Sequence, residues 1–572
     1  MNLVDRLPLS QRTATGWQPV SAWGARARVL LVPGLIALLI GLPLLLLLLH
    51  LATPNVALWQ QLWGTILPPM LWNTLVLVLG VAAGTLLIGT GCAWLVSLYQ
   101  FPGRAWFDRL LLLPLAIPGF VMGFVFMATF DYAGPVQTAW RSVFGAAAPF
   151  PEIRSAGGVI VVMTLVLYPY VYLLARAAFR EQAASTFEAA QVMGLSRTQT
   201  FFRLVLPLAR PSLAAGAVLA MMEALTDFGT VRFFSYPTLS EGVVRVWEGR
   251  MDRDSAIELA ALLLFVALAL VLLERALRGS ARYYQAGNGK GRRPARQQLT
   301  GWRAWSAFGL CLALLLAAFI LPVGQLAAWA LLELHQQSTG GWQATFLSYV
   351  GNSVSLAGSA AGVVVLLALL LAQGVRTAGE QGLPWARWLA RFVTLGYALP
   401  GAVVAVGVLL FLSPIDFRLN DLARDLGLTR PGLILTGTMT GLVYAYLVRF
   451  MAVGYNSIDS SLEKITPTMA QAARCLGAGQ SRVLWRIHAP LMSSGIAAGA
   501  LLVFVDVMKE LPATLLLRPF GMDTLALWAY FSAMESFWQQ AALPAVTIVL
   551  AGLLPVLLLM RVGDGQTVDT AT

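Results

Sequence analysis

The chain has 572 residues, of which 58% are hydrophobic and 12% charged, with a mean hydropathy of +0.73 and a formal net charge of +12. Soluble domains carry about 25% charged residues, and no basic soluble domain is present to give the positive charge a nucleic-acid partner. The alternation of a membrane β-barrel is also absent, which leaves an all-α polytopic membrane protein.

Apolar windows long enough to cross a bilayer as helix recur from end to end. In the first half they lie near 29–51, 74–98, 109–131, 158–178, 212–235 and 256–276. The second half has them near 304–332, 353–375, 388–412, 432–452, 491–512 and 541–561. About twelve transmembrane helices are expected. The first is too long for a signal-peptide core, and no small-residue cleavage pattern follows it, so it reads as a retained helix. Residues 1–28 form an N-terminal segment and 562–572 a tail. With both on the cytoplasmic side, most of the 39 Lys and Arg residues fall inside. Cys92 and Cys311 lie in apolar spans and Cys475 in a polar loop, so no disulfide framework is implied.

A short polar motif occurs twice, 283 positions apart. The first copy runs Glu188-Ala189-Ala190-Gln191-Val192-Met193-Gly194 and closes on Arg203 and Pro207; the second runs Gln471-Ala472-Ala473-Arg474-Cys475-Leu476-Gly477 and closes on Arg486 and Pro490. In both, Gly precedes Pro by 13 residues and Arg precedes it by four. Ser185–Glu188 and Thr468–Gln471 fit a capping box, each Gly suits a left-handed helix end, and each Pro marks entry to the next span. The paired alanines give a narrow face that can enter a groove. Charge placement puts both loops, 185–210 and 466–490, in the cytoplasm.

Other matches show that a whole unit is duplicated. Trp72-Asn73-Thr74 answers to Gly351-Asn352-Ser353, Ala116-Ile117-Pro118-Gly119 to Ala398-Leu399-Pro400-Gly401, and Gly216 to Gly499. Two homologous six-helix halves are therefore expected, 29–277 and 304–561, related by an axis along the membrane normal. Residues 278–303 between them are rich in Gly and Arg and read as a flexible cytoplasmic linker. Its Gly-Lys is no phosphate loop, because Tyr284 and Gly291 stand where Gly and Ser or Thr are needed.

Ionisable residues at membrane depth are costly unless they pair or line water. Glu223 and Asp227 in the fifth span match Asp506 and Glu510 in the eleventh, each pair four residues apart on one helical face; Lys509 lies beside the second pair. They either neutralise Lys509 and Arg232 or cap a broken helix, or they line a translocation path for a hard cation, which carboxylate oxygens suit. The run Tyr168-Pro169-Tyr170-Val171-Tyr172 and the pair Tyr444 and Tyr446 read as aromatic packing. His50, His335 and His488 lack metal-ligand spacing, so no metal site is assigned. Pro118 and Pro400 are expected to kink their spans.

The twin loops resemble the EAA loop of binding-protein-dependent ABC importer permeases. Glu188, Ala189, Ala190 and Gly194 match in the first copy; Ala472, Ala473 and Gly477 match in the second, where Gln471 replaces the usual Glu. The resemblance implies the type I importer permease fold in the bacterial inner membrane. It also implies coupling helices docked on two ATP-binding subunits that hold ATP and Mg, a periplasmic substrate-binding protein, and surrounding lipid. The chain itself needs no cofactor and catalyses no bond-making step. Met222–Thr230, Val505–Thr514 and Leu517-Arg518-Pro519-Phe520 resemble fused permeases of ferric-iron importers; thiamine permeases share the fused plan. A secondary transporter driven by an ion gradient also fits twelve spans, but the duplicated EAA loop speaks against it. A membrane enzyme would need a clustered nucleophile, base or metal site that the sequence lacks.

Overall fold

The computed structural model describes residues 20–52, 54–181, 190, 192–250, 253–278, 296–336 and 342–568. It is almost wholly helical. Among the described residues ten helices are long and apolar enough to cross a membrane, or eleven if Gln480–Leu491 and Ser493–Met508, bent by 77°, form one span. The helix Met439–Leu462, at the tenth expected position, has 24 residues but carries Arg449 and Asp459 and is not among them.

Expected and observed bounds differ most where the backbone breaks. In place of a span at 109–131, a 3-10 turn Leu113–Ala116 leads to extended Ile117 and Pro118, and the helix starts at Gly119. The second half repeats this with the turn Thr394–Ala398, extended Leu399 and Pro400, and a helix from Gly401. Pro118 and Pro400 therefore do not kink their spans. They begin them, because proline excludes the residue before it from helical backbone. The fifth span also ends early, at Thr226, and Gly229–Phe233 is a separate short helix.

The duplication is visible in side-chain bonds. Asn73 donates to the Pro237 carbonyl at 2.9 Å, and Thr74 Oγ1 accepts the Leu239 N–H at 3.0 Å. Asn352 donates to the Asp523 carbonyl at 3.0 Å, and Ser353 Oγ accepts the Leu525 N–H at 2.9 Å. Each half thus ties the start of its second span to the loop that precedes a late helix. Wide π-helical turns occur at Phe201–Val205, Leu316–Ile320 and Leu484–His488, each two residues before a proline (Pro207, Pro322, Pro490). A proline ring clashes with the carbonyl four residues back and donates no N–H, and one extra residue in the preceding turn relieves both.

The halves interlock. The helix Val20–Ala52 packs on Trp342–Glu380 and Gly401–Asp425, and Tyr444 donates to the Leu39 carbonyl at 2.5 Å. The last helix, Trp538–Val568, packs in return on Leu113–Ala116. That approach needs Gly552, since a Cβ there would press 2.5 Å from the Ala116 carbonyl oxygen. The linker is anchored at its far end, where Gln297–Gln298 pairs in parallel with Tyr99–Gln100; residues 279–295 lie outside the described residues.

Candidate functional site

The helix Leu206–Thr226 stops where Asp227 turns to extended backbone (φ −82°, ψ 103°). Its carboxylate accepts the Thr230 N–H at 2.9 Å and the Thr230 hydroxyl at 2.5 Å, capping the short helix Gly229–Phe233. Glu510 does the same in the second half. It accepts N–H groups of Ala513 and Thr514, both at 2.9 Å, and the Thr514 hydroxyl at 2.7 Å, capping Pro512–Leu517. A side-chain oxygen there satisfies orphan donors at a helix start. Glu510 also accepts from Arg449 at 2.8 Å, and Asp506 pairs with Lys509 at 2.9 Å. Arg232 pairs with Glu248 instead, so it neutralises none of the four acids.

All five expected residues, Glu223, Asp227, Asp506, Lys509 and Glu510, line one chamber of about 150 Å³ between the halves. Gly119 forms part of its wall, and Gly401 packs behind the lining residues Arg449 and Glu510. A Cβ on Gly119 would collide with the Asp227 carboxylate, and one on Gly401 with Arg449 and Glu510. Sequence reasoning missed three lining residues: Tyr170, Tyr397 and Arg449. Arg449 left a signal, a lone charge in an apolar stretch. Tyr168 and Tyr172 are packed as expected and donate to the Leu111 and Asp108 carbonyls at 2.9 and 3.1 Å, whereas Tyr170, between them, faces the chamber. Glu223 receives no hydrogen bond or ion pair from another described side chain, and neither do the Tyr170 and Tyr397 hydroxyls. Among the described residues no three His, Cys, Asp or Glu side chains gather to hold a metal ion.

A second cavity, about 630 Å³, shares Leu219, Met222 and Tyr397 with the chamber. It reaches along Leu206–Thr226 to Pro211 and Ser212, so it lies toward the end of the molecule that carries the repeated loops.

In those loops Glu188 and Ala189 fall outside the described residues. Gln191 lies outside them too, but the helix ends match. Gly194 and Gly477 take φ +72° and +81°, and the Leu195 and Ala478 N–H groups reach back to the Ala190 and Ala473 carbonyls, each at 3.0 Å. That is the Schellman closure of a helix on glycine. Ala190 is buried and Ala473 half-buried; Gln471 and Ala472 are exposed, as are Arg203, Arg486 and Pro490, and Pro207 is half-buried. The expected capping box at Thr468 does not form. The helix Pro467–Cys475 begins two residues earlier behind Thr466, because Pro467 is already suited to its first position. The footings differ. Trp94 lies tilted against Phe201, ring centroids 4.2 Å apart, in the first half; in the second half Gln373, at the position matching Trp94, meets buried His488 at 2.7 Å, and Glu380 holds Arg474 at 2.9 Å.

The sequence pattern of the family described as "Binding-protein-dependent transport system inner membrane component" matches residues 85–283 and again 365–566. The chain belongs to this family. It is therefore a multi-pass inner-membrane permease subunit of an ABC importer for a solute delivered by a binding protein, and ATP hydrolysis belongs to separate subunits. The Fe(3+)-transport system permease protein FbpB 2 of Haemophilus influenzae is 28% identical over 534 residues, covering 92% of this chain and 97% of that protein. The sulfate transport system permease protein CysT of Escherichia coli is 29% identical over 204 residues, 35% of this chain and 71% of that protein. Among solved structures, a bacterial ABC transporter that imports alginate matches with TM-score 0.38 and 19% identity, over 45% of this chain and 96% of that one.

Proposed function

We propose that this permease carries ferric iron from a periplasmic binding protein to the cytoplasm, as a fused subunit with two permease domains, 29–277 and 304–561. Both repeated loops face the cytoplasm and seat one ATPase subunit each through Glu188–Gly194 and Gln471–Gly477. Closure of the ATPases on ATP and Mg draws the loops together and rocks the interlocked halves. The chamber then opens alternately to the periplasm and to the cytoplasm. Glu223, Asp227, Asp506, Lys509 and Glu510 line the path.

The observation that carries the cation reading is the charge of the chamber, four carboxylates against two basic groups, Arg449 and Lys509. Both basic groups are engaged by acids. A sulfate-like oxyanion entering such a space would meet a negative excess with no free cation to receive it, and few waters to screen it. The likeness to a ferric permease over nearly the whole of both chains points the same way. The test is uptake of radiolabelled ferric iron, sulfate and molybdate in cells with and without this chain. Iron uptake that depends on the chain supports the reading; chain-dependent uptake of an oxyanion and none of iron refutes it.

A further inference from the structure

Of the chamber's four carboxylates, three are occupied. Asp227 and Glu510 cap short helices, Glu510 also binds Arg449, and Asp506 holds Lys509. Glu223 and the hydroxyls of Tyr170 and Tyr397 line the same space with no hydrogen bond or ion pair to another described side chain, although Lys509 and Arg449 lie close enough to Glu223 to act on its charge. Tyr170 and Glu223 come from two helices of the first half, Ala156–Glu181 and Leu206–Thr226, and Tyr397 from the turn Thr394–Ala398 of the second. Three side chains, brought together across the interface on a chamber rather than packed into protein, offer four oxygens that no hydrogen bond from another described side chain uses.

We propose that Glu223, Tyr170 and Tyr397 form a transient site for a bare hard cation, which sits where the chamber meets the second cavity. This rests on the cation reading above and names what that cation touches. One carboxylate and two phenol oxygens suit a hard ion, and neither a thiol nor an imidazole lies among the chamber residues. The chamber's 150 Å³ is well below the ~300–1,000 Å³ of pockets for drug-sized ligands, so in this conformation it has room for an ion and a few waters. Tyr397 also lines the larger cavity toward the repeated loops, so an ion held by it has its exit beside it. Three protein ligands leave the remaining coordination positions to water, which keeps binding weak enough for release.

Terbium(III) is the probe, a hard trivalent ion whose emission is sensitised by a tyrosine close to it. The detergent-solubilised full chain is titrated alongside Glu223→Gln, Tyr170→Phe and Tyr397→Phe, each removing or neutralising one oxygen with little change of shape. The site requires that Glu223→Gln weaken terbium binding at least 10-fold, that each Phe variant dim the sensitised emission, and that Glu223→Asp recover part of the affinity. Unchanged affinity and emission in all three variants overturn it. Elution as a single species in detergent establishes that each variant is folded, and should one aggregate, the other two still decide. In cells carrying the complete transporter, ferric uptake should fall at least 10-fold in Glu223→Gln. No iron uptake by the wild type defeats the proposed function; normal uptake by all three variants in a wild type that imports iron defeats the site alone.

Discussion

Arg449 donates to Glu510 at 2.8 Å from the middle of an apolar helix, and Glu510 spends its remaining acceptor capacity on the start of Pro512–Leu517. Asp227 holds the matching place in the first half with a cap and no basic partner. One half is thus pinned by an ion pair that the other lacks.

Removing one partner of a buried pair strands the other, at about 3–5 kcal/mol. Arg449→Leu should therefore lower the stability of the solubilised chain by about that amount. Glu510→Gln retains an acceptor and should cost less. The double variant should be more stable than Arg449→Leu alone, since no charge is left stranded. Thermal unfolding in detergent reads all three; a double variant worse than both singles would show that the pair is not the source of the loss.

Gly119→Ala and Gly401→Ala should each destabilise by about 1–3 kcal/mol, the range for overpacking a filled site. The added methyl meets a carboxylate already fixed by hydrogen bonds. Substrate uptake should fall with stability in both, and an unaffected melting temperature would mean that the packing around both glycines yields freely.

Gly194 and Gly477 have positive φ, and a Cβ on either meets open space. Their substitution therefore acts on backbone conformation alone, about 1–2 kcal/mol for an ordinary side chain. Gly477→Val should leave the chain inserted yet uncouple ATP hydrolysis from uptake, and Gly477→Asn should be milder because Asn tolerates this conformation. Equal coupling in wild type and Gly477→Val, measured as solute carried per ATP, would remove the loop from the mechanism.

Cys475 is exposed on the second loop, whereas Cys92 and Cys311 are buried. A membrane-impermeant maleimide should label one thiol per chain in inside-out vesicles and none in right-side-out ones. The reverse pattern would put the loops in the periplasm and end the coupling account.

Asn73→Ala and Asn352→Ala each remove one hydrogen bond to a loop carbonyl, about 1 kcal/mol apiece. The pairs share no partner, so the losses should add in the double variant. Strong non-additivity in the melting curves would reveal coupling between the halves through these loops.

Much of this was legible because duplication doubles every signal. A single Gly thirteen residues before a Pro says little, but its recurrence at 194 and 477 with the same spacing predicted left-handed glycines that the structure contains. The acids at 223, 227, 506 and 510 were readable as charges in apolar surroundings, and they do meet in one chamber. Their division of labour was not readable. Whether a carboxylate caps a helix or stays free depends on where the backbone breaks, and the apolar window ran straight through Asp227. The same blindness moved the expected third span, since hydropathy averages over Pro118 while the backbone does not. Tyr170 was hidden by its neighbours: Tyr168 and Tyr172 pack, and only helical phase separates it from them.

The unlike footings of the loops, an aromatic contact under one and a glutamine–histidine contact under the other, bear on assembly. A permease built from two separate copies of one half would present the same socket twice. Joined in a single polypeptide, every particle receives one of each kind, in fixed order. On the proposed coupling role, the two loops are then free to differ in sequence, each fitted to its own ATPase contact.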